Sequence, residues 1–475
     1  MHSRATNGSR HFRGRRTGRN ARPVWTGRRP ETIKVHGALG SFVVSASPRS
    51  RVPAVERAAE PAAPTPVTSR ATAPATVDLL ASIPTPAGTL SFVCEGDGLV
   101  GWGSYARFST TGPDAAQQIA RWWAEQCEQF DVTDEVRLPG SGPLVFVSLG
   151  FTAADRSVAV IPRVILGNRD GARFTTVVGD PGAAALPAAG PVRGPGRVSY
   201  RNGSFPPDAY RAAVRKAVER IDAGEVEKVV LACDLRADTE HRIDERYLLA
   251  RLAAAYPSCM TFAVDGLVGA TPELLVRRHG RRVSSRVLAG TGWPERLGEH
   301  TAGVVATNLL ASDKDIAEHR YAVDSVAEVL RDVGEDVRVP RTPHALPLAN
   351  LTHLVTDITA RLPAHAPRTP DSSVSALALA ARLHPSAAVG GTPRDAAVRL
   401  ITELEPAPRG RYAAPVGWLD AAGNGDFGLA LRCAQLDAGG ATLVAGCGIV
   451  ADSDPAKELR EAQVKMLPIR DALGG

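Results

Sequence analysis

The run ATLVAGCGIVADSDPAKELREAQVK, residues 441–465, decides how the rest of the chain is read. Its first ten residues are apolar or small and close on glycines, the pattern of a buried strand running into a turn. Asp454-Pro455 then predicts a helix start, an N-cap acid followed by a proline whose missing N–H costs nothing at that position. On this helix Glu458, Glu461 and Lys465 fall at i, i+3 and i+7, so two carboxylates and an amine share one stripe. Alone, such a stripe reads as a solvated face. A second stripe changes the reading. SDKDIAEHRYAVDSVAEVL places Asp315 and Glu318 at i and i+3 on a helix expected over 312–333, whose Ile316, Val323, Val326 and Leu330 make a separate apolar face. Two carboxylate pairs on two helices suit a hard divalent cation such as Mg2+, which takes oxygen ligands and keeps waters for a substrate to replace.

Composition bounds what surrounds these stripes. The 475 residues are 44% hydrophobic and 22% charged, enough for one large or two to three ordinary domains of a soluble globular protein. The formal charge of +6 sits in the N-terminal arm: residues 1–30 hold nine arginines and no acid. Without that arm the body is near neutral or slightly acidic, so overall charge does not argue for nucleic-acid binding by the folded part. Residues 1–75 are rich in Arg, Ser, Ala and Pro without periodicity, and are expected to be a disordered extension. A transit peptide, a non-specific nucleic-acid arm and a dispensable extension all fit that composition. Cys94, Cys127, Cys233, Cys259, Cys433 and Cys447 are scattered, with no CxxC pair or zinc spacing, as in a reduced, cytoplasmic protein. No apolar run approaches the roughly 18 residues of a membrane span.

Residues 76–200 are expected to form a mainly β N-terminal portion. One helix interrupts it, DAAQQIARWWAEQCEQF, where Ile119, Trp122, Trp123 and Cys127 recur at helical spacing and belong to a core. GPVRGPGRVS, around 190–199, is a linker. Beyond it, 205–472 reads as the catalytic portion. FPPDAYRAAVRKAVERIDAGEVE is a helix with Pro at its start and Gly224 at its end, and KVVLACDLRADT is a strand beginning at Lys228. A helix, DERYLLARLAAAYP, precedes strands arranged about a Gly-Ala-Thr-Pro-Glu turn that carries Glu273. After the 312–333 helix come helices near 370–383 and 393–404 and a hairpin whose turn is GNGD.

Taken singly, Lys228 at a strand start, Glu273 in a turn and Arg432 in a strand are ordinary. In order, KVVLxxxL, GATPELLV, LAGT, SDKDIAEHR, HLVT, LHPSAAVGGTPR, RGRYAAPVGW, ALR and AGCGIVxxSDPxKELxExxxK together resemble the chorismate-utilising enzymes. These are the isochorismate synthases, the salicylate synthases, and the synthase subunits that make anthranilate and aminodeoxychorismate. The resemblance covers roughly residues 205–472, more than half of the chain.

It implies an α/β (α+β) fold like that of anthranilate synthase component I, antiparallel sheets with helices packed outside. It also implies a Mg2+ ion bridging enzyme and the ring carboxylate of chorismate, with Glu318 and Glu461 as direct ligands and Asp315 and Glu458 behind them through waters. Arg432 and Tyr412 match positions that hold the second carboxylate, while Lys465 and the Gly290-Thr291 amides lie near the metal-bound one. His353 and His384 fall in motifs that line the site and are read as structural. Lys228 matches a base that activates water at C2, and Glu273 an acid that protonates the departing C4 oxygen. Those roles require burial and neighbouring charge to displace the two pKa values in opposite directions. Ammonia-using relatives lack the lysine and depend on a glutaminase, so no glutaminase partner is expected.

The reading is an isochorismate synthase feeding menaquinone or a siderophore, with salicylate synthase as the alternative. An anthranilate or aminodeoxychorismate synthase component and a non-catalytic relative stand behind these. Its partner is chorismate, with neither membrane nor nucleic acid expected and a monomer or dimer in solution. Cys233, Ser386 and Cys447 depart from the family pattern, standing where relatives carry Arg, Thr and Ala. None of the three removes a proposed catalytic group.

Overall fold

The computed structural model describes residues 63–72, 78–86, 88–180, 190–292, 301–348 and 351–474, with the backbone alone described at 301, 302, 314 and 318. Its organising ladder joins the strand beginning at Lys228 to the buried strand read at 441–450. Lys228–Thr239 runs antiparallel to Gly440–Ile449, with Val229 opposite Ile449 and Leu231 opposite Cys447. Gly446 is needed in that ladder, because a Cβ there would come within 2.6 Å of the Leu231 carbonyl oxygen.

From this pair the sheet continues, strand by antiparallel strand, through Cys433–Asp437, Leu267–Thr271, Met260–Val264, Leu90–Cys94 and Asp97–Thr110 to Ser157–Arg169. There it branches. One arm runs through Ala172–Val178 to Thr65–Ala71. The other passes through Leu144–Ser148, Pro415–Asp420, Gly425–Leu429 and Leu274–His279 to Arg282–Gly292 and Thr352–Arg361. Portions 76–200 and 205–472 therefore share one hydrogen-bonded network. Side chains from both portions, Phe146 from the first and Phe262, Trp418 and Phe427 from the second among them, meet in one buried cluster.

The expected 1–75 extension is corrected at its C-terminal end and otherwise lies outside the described residues. Thr65–Ala71 is a strand, paired parallel with Phe130–Asp134 and antiparallel with Ala172–Val178. In TPVTSRA, Val67 and Ser69 alternate inward with no exposed surface, a period-2 signal hidden in a Pro- and Ala-rich context.

Several helices lie where caps and spacing placed them, while Thr301–Ala311, just before the 312–333 helix, was not anticipated. Pro455–Leu473 starts on Asp454, whose carboxylate accepts the N–H groups of Ala456 and Lys457, and ends on Gly474 at φ +93°. It packs on the Gly440–Ile449 strand. Asp313–Val333 starts on Ser312, whose Oγ accepts the Asp315 N–H, and buries Ala322, Val323, Val326 and Leu330 against the Arg282–Gly292 side of the sheet. Ala115–Cys127 buries Trp123 completely, as its spacing predicted. Among the described residues no helix is long and apolar enough to cross a membrane.

Candidate active site

A cavity of about 260 Å³ opens where these elements meet, and most of the residues singled out from sequence line it. Lys228 enters at the first residue of its strand and is only 2% exposed. Glu273 follows Pro272 in the turn between Leu267–Thr271 and Leu274–His279, 5% exposed. Burial pushes its carboxyl pKa up to about 8, against the lowering pull of Arg432, a hydrogen bond with the Leu288 backbone, Lys228 and Lys465. At neutral pH this carboxyl holds its proton. The sequence reading asked for such an acid, and it faces the same cavity as the buried amine.

Arg432 reaches the cavity from the residue before Cys433–Asp437, with its backbone in the left-handed region at φ +48°. Tyr412 is buried beside it, and burial raises its phenol pKa, which keeps the hydroxyl a donor. Gly290 occupies a bulge where the register between Arg282–Gly292 and Thr352–Arg361 shifts. At φ +76°, with the Asp315 carbonyl oxygen 3.4 Å from where a Cβ would stand, only glycine fits this close approach without strain. Thr291 follows it on the cavity wall.

The opposite wall is acidic. Glu458 and Glu461 from one helix and Asp315 from another line the same cavity. Glu318 lies one turn beyond Asp315 on the same helix, and its side chain is outside the described residues. Lys465 Nζ sits 2.6 Å from Glu461 Oε1 and donates to the Gly446 carbonyl at 3.1 Å. Burial alone would lower the Lys465 pKa, but Glu461 and its neighbours outweigh it and the amine stays charged.

The substitution at Cys447 falls on this wall. A carboxylate oxygen of Glu458, one of Glu461 and the Cys447 sulfur all lie within 4.8 Å of one another. Burial first, and Glu461 next, hold the thiol pKa well above its ordinary value, and its S–H donates to the Glu458 carbonyl at 3.2 Å. Of these donors, the carboxylate oxygens fit a hard cation better than a soft one.

The two histidines separate. His384 does not line the cavity: its Nε2–H donates to the Phe151 carbonyl at 3.0 Å, and burial lowers its pKa to about 4. His353 does line it and accepts a hydrogen bond from Arg432. That contact escaped the sequence reading, because 79 residues separate the partners and no spacing rule joins them. Lys457, at the first turn of its helix, is a further lining residue that only the fold revealed.

A buried amine, a protonated carboxyl, an arginine and a carboxylate wall around a small cavity define a site for a multiply charged small acid. A family profile described as chorismate binding enzyme matches residues 192–474, and the chain belongs to that family. Isochorismate synthase EntC of Escherichia coli (strain K12) is 37% identical over 272 residues, covering 56% of this chain and 67% of that protein. Isochorismate synthase DhbC of Bacillus subtilis (strain 168) is 37% identical over 279 residues, 56% of this chain and 68% of its own. Among solved structures, MenF, the menaquinone-specific isochorismate synthase from Escherichia coli, matches with a TM-score of 0.71. That match covers 87% of this chain and 95% of MenF at 24% identity, a likeness of fold.

Proposed function

We propose that this protein is an isochorismate synthase that moves the ring hydroxyl of chorismate from C4 to C2. The observation that carries the reading is the pairing of Lys228 with a Glu273 carboxyl that keeps its proton up to about pH 8, both buried on one cavity. Lys228 Nζ takes a proton from a water as its oxygen bonds to C2, the ring double bonds shift, and the C4–O bond breaks. Glu273 gives its proton to the departing oxygen, which leaves as water. The cycle closes when the amine's extra proton returns to the carboxylate through solvent. Arg432 and Tyr412 donate to one substrate carboxylate, while Lys465 and the Gly290-Thr291 amides face the other.

Glu461, Glu458 and Asp315, with Glu318, are the residues that would hold a Mg2+ ion, whose charge offsets the ring carboxylate beside an acidic wall. The donor chemistry supports this: carboxylate oxygens from two helices line one cavity.

Incubating the purified protein with chorismate and Mg2+ and separating the products by chromatography tests the reading. Isochorismate as the accumulating product is expected. Salicylate with an equivalent of pyruvate would replace the reading with the salicylate synthase alternative.

A further inference from the structure

Arg432 is held by a base where buried arginines are usually held by acids. Among the described residues no carboxylate lies within ion-pair distance of its guanidinium, and Nη2 donates to His353 Nε2 at 3.1 Å. A guanidinium has only donors, so Nε2 must present a lone pair and the ring proton must sit on Nδ1. From there the N–H donates to Thr291 Oγ1 at 3.2 Å, with the Gly290 carbonyl at 3.4 Å. Thr291 stands directly opposite His353 in the strand pairing, one residue past the Gly290 bulge. One imidazole therefore touches both elements assigned to the substrate carboxylates: the arginine on one side and the Gly290-Thr291 segment on the other.

The ring is 6% exposed. Protonating it would set an imidazolium against the Arg432 guanidinium with the Lys465 ammonium nearby. Burial first, then these two charges, hold the His353 pKa well below its ordinary value. The imidazole is thus unsuited to carrying protons in the reaction. What remains is its acceptor. A carboxylate in its place would orient Arg432 equally well, but it would also neutralise it and compete with the substrate for the same donors. A neutral acceptor aims the guanidinium and leaves its charge for the ligand.

We infer that His353 is a positioning residue: a neutral acceptor that aims Arg432 at a substrate carboxylate and ties that aim to the Gly290-Thr291 segment. The inference rests on the reading of Arg432 as a carboxylate-binding group in the proposed function. It extends that reading by explaining why this arginine has an imidazole for a partner.

Three variants test it, with chorismate dissociation constants from calorimetry, kcat, and thermal melting measured on each full-length protein. His353→Leu removes the acceptor and is expected to weaken chorismate binding about 10- to 100-fold, the range for a hydrogen bond to a charged group, with kcat changed less than affinity. His353→Gln, whose amide oxygen is neutral and reaches near the Nε2 position, is expected to recover most of that affinity. His353→Glu gives Arg432 a stronger partner. It is expected to leave chorismate binding as weak as in His353→Leu while melting no lower than His353→Gln.

The inference fails if His353→Leu binds chorismate like the parent, if His353→Glu binds as tightly as His353→Gln, or if affinity simply follows melting temperature across the three. Should His353→Leu not fold, the Gln and Glu variants decide alone, since both keep an acceptor and only one stays neutral. Product identity keeps the two claims apart. A parent protein that makes no isochorismate overturns the proposed function, whereas chorismate affinity reads the role of His353 whatever the product.

Discussion

Asp426 and Arg432 are both almost fully buried, 1% and 7% exposed, yet their surroundings differ in kind. Asp426 is ringed by nitrogen partners: Arg277 Nε at 2.9 Å, Arg169 Nη2 at 3.3 Å and His279 Nε2 at 2.9 Å. Burial would raise its pKa, but these partners hold it far below the carboxylate range. The cluster joins Ser157–Arg169 of the N-terminal portion to Leu274–His279 of the catalytic portion, and every charge in it has an answer inside the protein. Around Arg432 the protein supplies a neutral imidazole, and the nearby Glu273 keeps its proton. A closed buried cluster holds a fold together, and an open one leaves charge for a ligand to meet.

The comparison can be broken first at its catalytic end. Lys228→Ala or Glu273→Gln is expected to lower kcat by about 10²- to 10⁴-fold, the usual worth of a general base or acid, while chorismate binding measured by calorimetry survives. A variant that keeps near-parental turnover would remove the mechanism. On the acidic wall, Glu461→Gln is expected to raise the Mg2+ concentration needed for half-maximal activity at least about tenfold, and EDTA to abolish turnover. Full activity after chelation would remove the cation from the proposal.

Asp426→Ala tests the closed cluster. It leaves the buried Arg169 with Asp97 as its remaining acid and the partly exposed Arg277 and His279 without their carboxylate, and is expected to cost about 1–3 kcal/mol in denaturant unfolding, with KM for chorismate unchanged. A large rise in KM would mean that the two clusters are coupled.

The gentlest test is pH, because the two carboxyls titrate with opposite signs. The folded pKa of Asp426 is depressed, so its stabilisation is fully present above the ordinary value of 3.8 and is lost as pH falls through and below that range. The folded pKa of Glu273 is raised from 4.5 to about 8. Between those values the unfolded chain gives up a proton that the native protein keeps, so rising pH withdraws stability. Glu273→Gln should therefore flatten the loss of stability expected of the parent between about pH 5 and pH 8. Turnover of the parent should also decline above about pH 8 as the acid ionises. An identical stability slope in parent and variant would place the Glu273 pKa back in the ordinary range.

Local grammar carried much of the site. Glu458, Glu461 and Lys465 share a helical stripe whatever that helix packs against, and Asp315 with Glu318 does the same on the helix over 312–333. The helix start at Asp454-Pro455 and the strand start at Lys228 were equally legible, because each depends on neighbours a few residues away. Thr65–Ala71 was missed because its alternation is short and its partners lie 60 to more than 100 residues downstream. The Arg432–His353 contact was likewise beyond reach, while the raised pKa of Glu273 was asked for by the family resemblance and by no local pattern.

The sequence by itself determined which residues carry charge, which faces they occupy on their own helices, and the order of motifs that marks the family. Tertiary structure alone decided which of those charges are compensated. That depends on desolvation and on contacts between strands distant in the chain, and neither quantity is written in the spacing of residues along one element.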